Sequence, residues 1–260
     1  MWPGWFHRCL LTGCSVLGVI FALASGSAIG VAAAEQRLPG IIGVDDRKAV
    51  DATGRGFVAV GHINVAGFSS RRQCTGTLVA PDRVVTAAHC LVHPRTGKPL
   101  PIGQIHFVAG VKGSSHRAHA KARCVHFASP EFRPREVRSD NLLGDMAQVI
   151  LDRKLEVPPI PILTEARVGR DHSLVHPSYP KDSRYKLVAH SGCGVLGVTN
   201  GLWLTNCDTS FASSGGPVIA EVGGKPHLAA VMVGFIEQKF TIAVPVSTWP
   251  ELVGRSNCEK

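Results

Sequence analysis

Three short segments carry side chains that together can do nucleophilic chemistry. Thr86-Ala87-Ala88-His89-Cys90 closes an apolar run. Asp145-Met146-Ala147-Gln148-Val149-Ile150-Leu151 leads an acid into another. Ser213-Ser214-Gly215-Gly216-Pro217 is a tight glycine turn entering a third. A serine hydroxyl is a poor nucleophile at its own pKa, so attack requires an imidazole to take its proton. A buried carboxylate then fixes the imidazole tautomer and stabilises its cation. A lone His, Asp or Ser is most often structural or solvated; the order His89, Asp145, Ser214 is far more specific than any one of them. Asp140 is a rival acid, but the Asp-x-Ala-x-x-x-Leu frame favours Asp145.

These groups need a scaffold that holds them from three distant points of the chain. Short apolar runs rich in Val and Ile recur throughout, among them Thr75–Val79, Arg83–Ala87, Ala147–Leu151, Pro217–Val222 and Leu228–Phe235. Most are too short for helices, and Gly or Pro separates most of them, which is the pattern of an all-β sandwich or barrel. Ser247–Val253 predicts one short terminal helix, with Pro250 tolerated only in its first turn. Pro158-Pro159-Ile160-Pro161 is Pro-rich, extended and near the middle of the chain that follows the leader, so it reads as a crossover between two halves.

The chain has 260 residues, 45% hydrophobic and 18% charged, with 28 Gly and 17 Pro. That supports a packed core and excludes global disorder. The formal charge is +9. Lys and Arg are scattered, however, and aromatic residues do not interleave with a basic run, so nucleic acid is not expected as a partner. His7 and Arg8 precede an uncharged stretch from Cys9 to Ala34 that ends in Ala32-Ala33-Ala34, the pattern of an export signal over 1–34. An uncleaved anchor is the competing reading, weakened by the Gly- and Ser-rich second half. Export places the remainder in a secreted or periplasmic, oxidising compartment, where Cys74, Cys90, Cys124, Cys193, Cys207 and Cys258 can form disulfides. Six cysteines allow about 15 pairings. With no CxxC pair and no calcium loop, neither a metal nor a cofactor is expected. His93, His116 and His119 read as surface loop residues. His172 and His176 are spaced i, i+4, but Pro177 argues against a helical metal pair.

With those motifs in place, the chain resembles the chymotrypsin-like serine peptidases over nearly all of its length after the leader. Within them it looks most like the bacterial glutamyl endopeptidase-like subgroup. Ile42-Gly43-Val44-Asp45-Asp46-Arg47 resembles their mature start, as does Cys207-Asp208-Thr209 before the nucleophile. The resemblance implies two six-stranded antiparallel β-barrels, about 42–157 and 162–246, with the site between them. It implies a short pro-segment over 35–41, with Arg37 as a processing point, and hence a zymogen. It makes Ser214 the nucleophile, His89 the general base then acid, Asp145 the orienting carboxylate, and the backbone amides of Ala212 and Ser214 the oxyanion donors. The implied partner is a protein or peptide substrate, cut by a monomer with no stable membrane association after signal cleavage.

The resemblance also implies the Cys74–Cys90 disulfide around His89. Cys193 and Cys207 flank a Gly-rich hairpin candidate, and their pairing leaves Cys124 with Cys258; other pairings of these four stay open. For specificity the resemblance points to Asp208, Thr209 and Gly234. An acid six residues before the nucleophile suits basic substrate side chains, the first expectation. Thr209 suits glutamate, but no His stands near Val231–Gly234 to support it, and small or apolar residues are the remaining alternative. Two departures matter. Ser213 replaces an acid, so a trypsin-type activation switch is not expected. Ala212 replaces a glycine that tolerates positive φ, which keeps open an inactive homologue acting as a binding protein.

Overall fold

The computed structural model describes residues 38–54, 56–66, 71–130, 132, 139–164, 168–169 and 171–258. The expected export signal and the first part of the expected pro-segment lie outside the described residues. Among the described residues no helix is long and apolar enough to cross a membrane.

Two antiparallel sheets build the molecule. The first contains β2 (Val60–Ala66), β3 (Arg71–Ala80), β4 (Arg83–Thr86), β5 (Ile105–Ala109), β6 (Ala118–Phe127) and β7 (Ala147–Leu151), after the two-residue β1 (Lys48–Ala49). These six close into a barrel in the order β2-β3-β4-β7-β6-β5. Val84, Val85, Val149 and Ile150 of this barrel are fully buried. Burying a side chain of this size stabilises the fold by roughly 1.5–3 kcal/mol.

The second sheet contains β8 (Leu174–Ser178), β9 (Val188–Cys193), β10 (Val195–Thr199), β11 (Leu202–Thr205), β12 (Pro217–Val222), β13 (Lys225–Ile236) and β14 (Phe240–Pro245). Its order is β1-β9-β8-β12-β13-β14-β11-β10. It therefore has eight strands where six were expected. β1 joins it from the far end of the chain through the pair Lys48↔Ala189. Two of its strands lack the alternating apolar signal: β8 contains Pro177, which has no ladder donor, and β10 carries the exposed Leu196 and Val198.

The Pro-rich crossover stitches the two sheets. Ile160 N–H donates to Leu78 C=O at 2.9 Å, and Leu228 N–H donates to Pro161 C=O at 2.8 Å. Short helices α1 (Ser139–Leu143) and α2 (Pro250–Gly254) complete the fold, α2 with Pro at its start. Trp249, at the N-cap of α2, donates through Nε1 to Leu143 C=O at 2.8 Å. This fixes the end of α1 two residues before Asp145. Three disulfides are present: Cys74–Cys90, Cys124–Cys258 and Cys193–Cys207. The second ties the C-terminus to β6.

Candidate active site

Strand register brings His89 and Asp145 together. β4 and β7 pair with Thr86 opposite Ala147, so the chain leaves β4 where it enters β7. Three residues past Thr86 a 3-10 turn, Ala88–Cys90, presents His89. Small neighbours make this turn possible, since Ala87 and Ala88 are fully buried, and the Cys74–Cys90 bridge pins its end to β3.

Asp145 is 2% exposed. A buried carboxylate is costly unless both oxygens are satisfied. One oxygen accepts the His89 backbone N–H at 2.8 Å, and the other accepts from His89 Nδ1 at 2.7 Å. With Nδ1 donating, the neutral ring keeps Nε2 free of a proton and able to accept one. Burial alone would push the His89 pKa down. The charge and hydrogen bond of Asp145 outweigh burial and the opposing Arg72, and leave it above its ordinary value. The rival acid Asp140 lies in α1; the His89 bonds go to Asp145.

Ser214 arrives from the second sheet and is held by the first. Its carbonyl accepts Thr75 N–H of β3 at 2.9 Å. Gly215 follows with φ +81, and a Cβ there would sit 2.1 Å from Thr86 Oγ1 and 2.3 Å from Thr75 O. Only glycine permits that approach. Ser214 and His89 line the same cleft, which on one side has a volume of about 630 Å³ and on the other about 400 Å³.

The loop leading into Ser214 is a β-turn closed by Ser213 N–H to Ser210 C=O at 3.0 Å. Ala212 stands at its third position with φ 72, where a type II turn favours glycine. The departure seen in the sequence has thus not changed the backbone conformation. The Ala212 carbonyl accepts from Thr75 Oγ1 at 3.1 Å. The amides of Ala212 and Ser214 have no acceptor among the described residues. Ser213, fully buried, accepts from Ser178 Oγ at 2.9 Å and from the Ser210 amide at 3.3 Å. Neutral hydroxyls therefore hold the loop without a carboxylate and a freed amine.

The expected specificity residues part company. Gly234 lines the cleft. Asp208 does not face it: its side chain is fully buried and accepts the backbone amides of Ile42 and Asp46, each at 2.9 Å. His190 Nδ1 lies 3.2 Å away. With its oxygens committed to these internal donors, Asp208 is a structural anchor and offers no counter-charge to a basic substrate side chain. Thr209 is 2% exposed, and its Oγ1 lies 3.2 Å from His176 Nε2. Gly40 covers it, its carbonyl accepting Thr209 N–H at 3.1 Å. Ile41 is 4% exposed, so residues 40–41 of the expected pro-segment are packed into the domain.

Sequence reasoning misplaced His176 and His119 and missed Arg72. His176 belongs to β8 and is buried against Pro217 C=O, and burial pushes its pKa down to about 4. His119, read as a loop residue, is in β6 with its ring stacked on His106. Arg72 donates to His89 C=O at 3.0 Å and Val92 C=O at 3.1 Å. It is distant in sequence and carries no motif; only β3 pairing places it.

A closed β-barrel packed with a second antiparallel sheet, a carboxylate-bound histidine and a serine across the cleft define the chymotrypsin-like serine peptidases. The chain matches the trypsin-like peptidase domain over residues 74–225, more than half its length, and it belongs to that family. It is a serine endopeptidase, a hydrolase. Among solved structures it is similar to a Glu endopeptidase in complex with MPD, at 18% identity and TM-score 0.65, over 82% of this chain and 97% of that one. It is similar to the protease Anisep from Arthrobacter nicotinovorans, at 16% identity and TM-score 0.61, over 80% and 100%. A third is a thermostable serine protease, AL20, from an extremophilic microorganism, at 17% identity and TM-score 0.60, over 76% and 98%. No curated protein sequence matches the chain.

Proposed function

We propose that Ser214 is the nucleophile of an exported endopeptidase, with His89 as general base then acid and Asp145 as its orienting carboxylate. The observation that carries this is Asp145, which is buried and gives both oxygens to His89. His89 takes the Ser214 proton as the hydroxyl oxygen attacks the peptide carbonyl. The amides of Ala212 and Ser214 face the developing oxyanion. The tetrahedral intermediate expels the amine, protonated by His89, and leaves an acyl ester on Ser214. Water, deprotonated by His89, then releases the acid.

The substrate's place follows from β13. β12 pairs with β13 only as far as Val231, and β14 holds the other edge of β13 through Ile236. One edge of Val233–Ile236 is therefore open to an extended peptide. Phe132, Leu142, Val233, Phe235 and Ile242 line the cleft beside it, so this side suits an apolar side chain. The buried Asp208 removes the support for a basic one. The glutamate specificity in a neighbour's name belongs to that neighbour. Three disulfides fit an extracellular or periplasmic setting. Ala212 speaks for the inactive homologue through its residue type. Its φ of 72 speaks against that reading, because the turn has the shape that glycine would give.

The test is a fluorophosphonate probe on the purified chain, with the modified residue mapped by mass spectrometry. Wild type is expected to label at Ser214, and Ser214→Ala to lose both labelling and peptide cleavage while keeping its circular dichroism spectrum. Cleavage by Ser214→Ala at the wild-type rate would overturn the assignment.

A further inference from the structure

The two sides of Ser214 differ in charge. Beside the open β13 edge the lining is largely apolar. The other side, of about 630 Å³, adds Lys181 and Arg184 to the Arg72 that borders both sides, and has no carboxylate in its lining. These cations come from two separate segments: Arg72 from β3, and Lys181 and Arg184 from the connection between β8 and β9. Lys181 and Arg184 are exposed and make no ion pair among the described residues. The acid between them, Asp182, is engaged by Arg47 at 2.8 Å. The acid on the other side of the site, Asp145, is committed to His89. Arg72 spends one guanidinium nitrogen on the carbonyls of His89 and Val92, which holds the head group at the cleft. Its remaining nitrogens have no partner among the described residues.

We propose that this side of the cleft selects acidic residues, so that the preferred substrate is a peptide with an apolar residue on one side of the scissile bond and Asp or Glu on the other. The inference rests on the reading of Ser214 as nucleophile. A like-signed cluster in a cleft with low-dielectric walls focuses its field on whatever enters. Each exposed charge pair is worth only about 0.2–1 kcal/mol. Three together set a preference of about tenfold for an acid over a neutral residue at low salt, on the scale where 1.4 kcal/mol is a factor of ten. The preference weakens as salt rises, since the Debye length falls from about 30 Å at 0.01 M to about 8 Å at 0.15 M. Basic residues on this side are disfavoured.

The experiment has two arms. In the first, a peptide library is cut by the wild type and by Lys181→Glu/Arg184→Glu. Wild type is expected to enrich Asp and Glu on one side of the bond only. The double variant is expected to lose that enrichment and admit Lys or Arg there. Lys181→Arg is expected to keep it. In the second, the Ser214→Ala protein is titrated with an acidic peptide and with its Asn/Gln counterpart. The acidic peptide is expected to bind about tenfold tighter at low salt, on the same charge-pair reasoning. Equal binding of the two peptides, or an acid enrichment that survives charge reversal in a folded variant, would overturn the proposal. So would a single-stranded DNA oligonucleotide that binds Ser214→Ala as tightly as the acidic peptide, because the surface would then read bare charge. Absence of cleavage by wild type, with selective binding in the second arm, would sink the catalytic reading and leave the charge reading standing.

Discussion

Asp145 and Asp208 are both buried carboxylates set beside a histidine, and they do opposite work. Asp145 receives the backbone and ring N–H groups of one residue, His89, whose side chain is 26% exposed and opens on the cleft with Ser214. Asp208 receives backbone amides from residues 166 and 162 positions away, Ile42 and Asp46. Its neighbour His190 is 9% exposed and accepts the Asp208 amide at Nδ1. His190 lines a separate hollow with Ile42, Asp46 and Asn206. The contrast separates a carboxylate that orients an imidazole at the cleft from one whose backbone donors bolt a distant segment to the domain, here the stretch that enters β1.

Removing each carboxylate's charge separates the two roles. Asp145→Asn is expected to lower kcat by about 10⁴ in protein that still folds, because the wrong imidazole tautomer is then favoured. The pH profile sharpens this. Because Asp145 holds His89 above its ordinary 6.5, the wild-type enzyme is expected to gain kcat/KM as pH rises through a midpoint above 6.5. In Asp145→Asn that midpoint is expected to fall below the wild-type one. An unchanged midpoint would count against the ion-pair account.

Asp208→Asn is expected to act on stability. Asn can accept from only one of the two backbone amides, and leaving the other buried donor unsatisfied costs about 1–3 kcal/mol, read as a fall in the denaturation midpoint at constant slope. Probe labelling of Ser214 is expected to persist in the folded fraction. If the variant is as stable as wild type but loses selectivity for a basic substrate residue, Asp208 is a pocket residue after all.

The smallest effect belongs to the turn that leads into Ser214. Ala212→Gly relieves a Cβ in the left-handed region and is expected to stabilise the protein by up to about 1 kcal/mol. This is offset by the entropy glycine loses on folding. A steady-state assay is expected to show cleavage at least as fast as wild type.

Much of the candidate site was legible because its determinants are local. The turn that presents His89 is announced by two alanines and a cysteine. Asp145 stands two residues before a strand that is buried along its whole length. Gly215 is demanded by contacts at its own Cβ position. The all-β class was legible for the same reason, since short Val/Ile runs between Gly and Pro leave few other ways to bury apolar surface. Two kinds of feature were not. β8 and β10 gave weak strand signals, one interrupted by proline and the other exposed. The role of Asp208 depended on backbone donors, which have no sequence signature at all.

What the sequence by itself determined is the class of scaffold and the chemistry available at His89, Asp145 and Ser214, because each sits in a segment whose local pattern requires its conformation. Tertiary structure alone decided that Asp208 is an anchor, that Gly40 and Ile41 are packed into the domain, and that Lys181 and Arg184 join Arg72 at one side of the cleft. The physical reason is distance along the chain. Desolvation and charge act between groups that are neighbours in space, and only the folded chain makes residues 42 and 208, or 72 and 184, into neighbours.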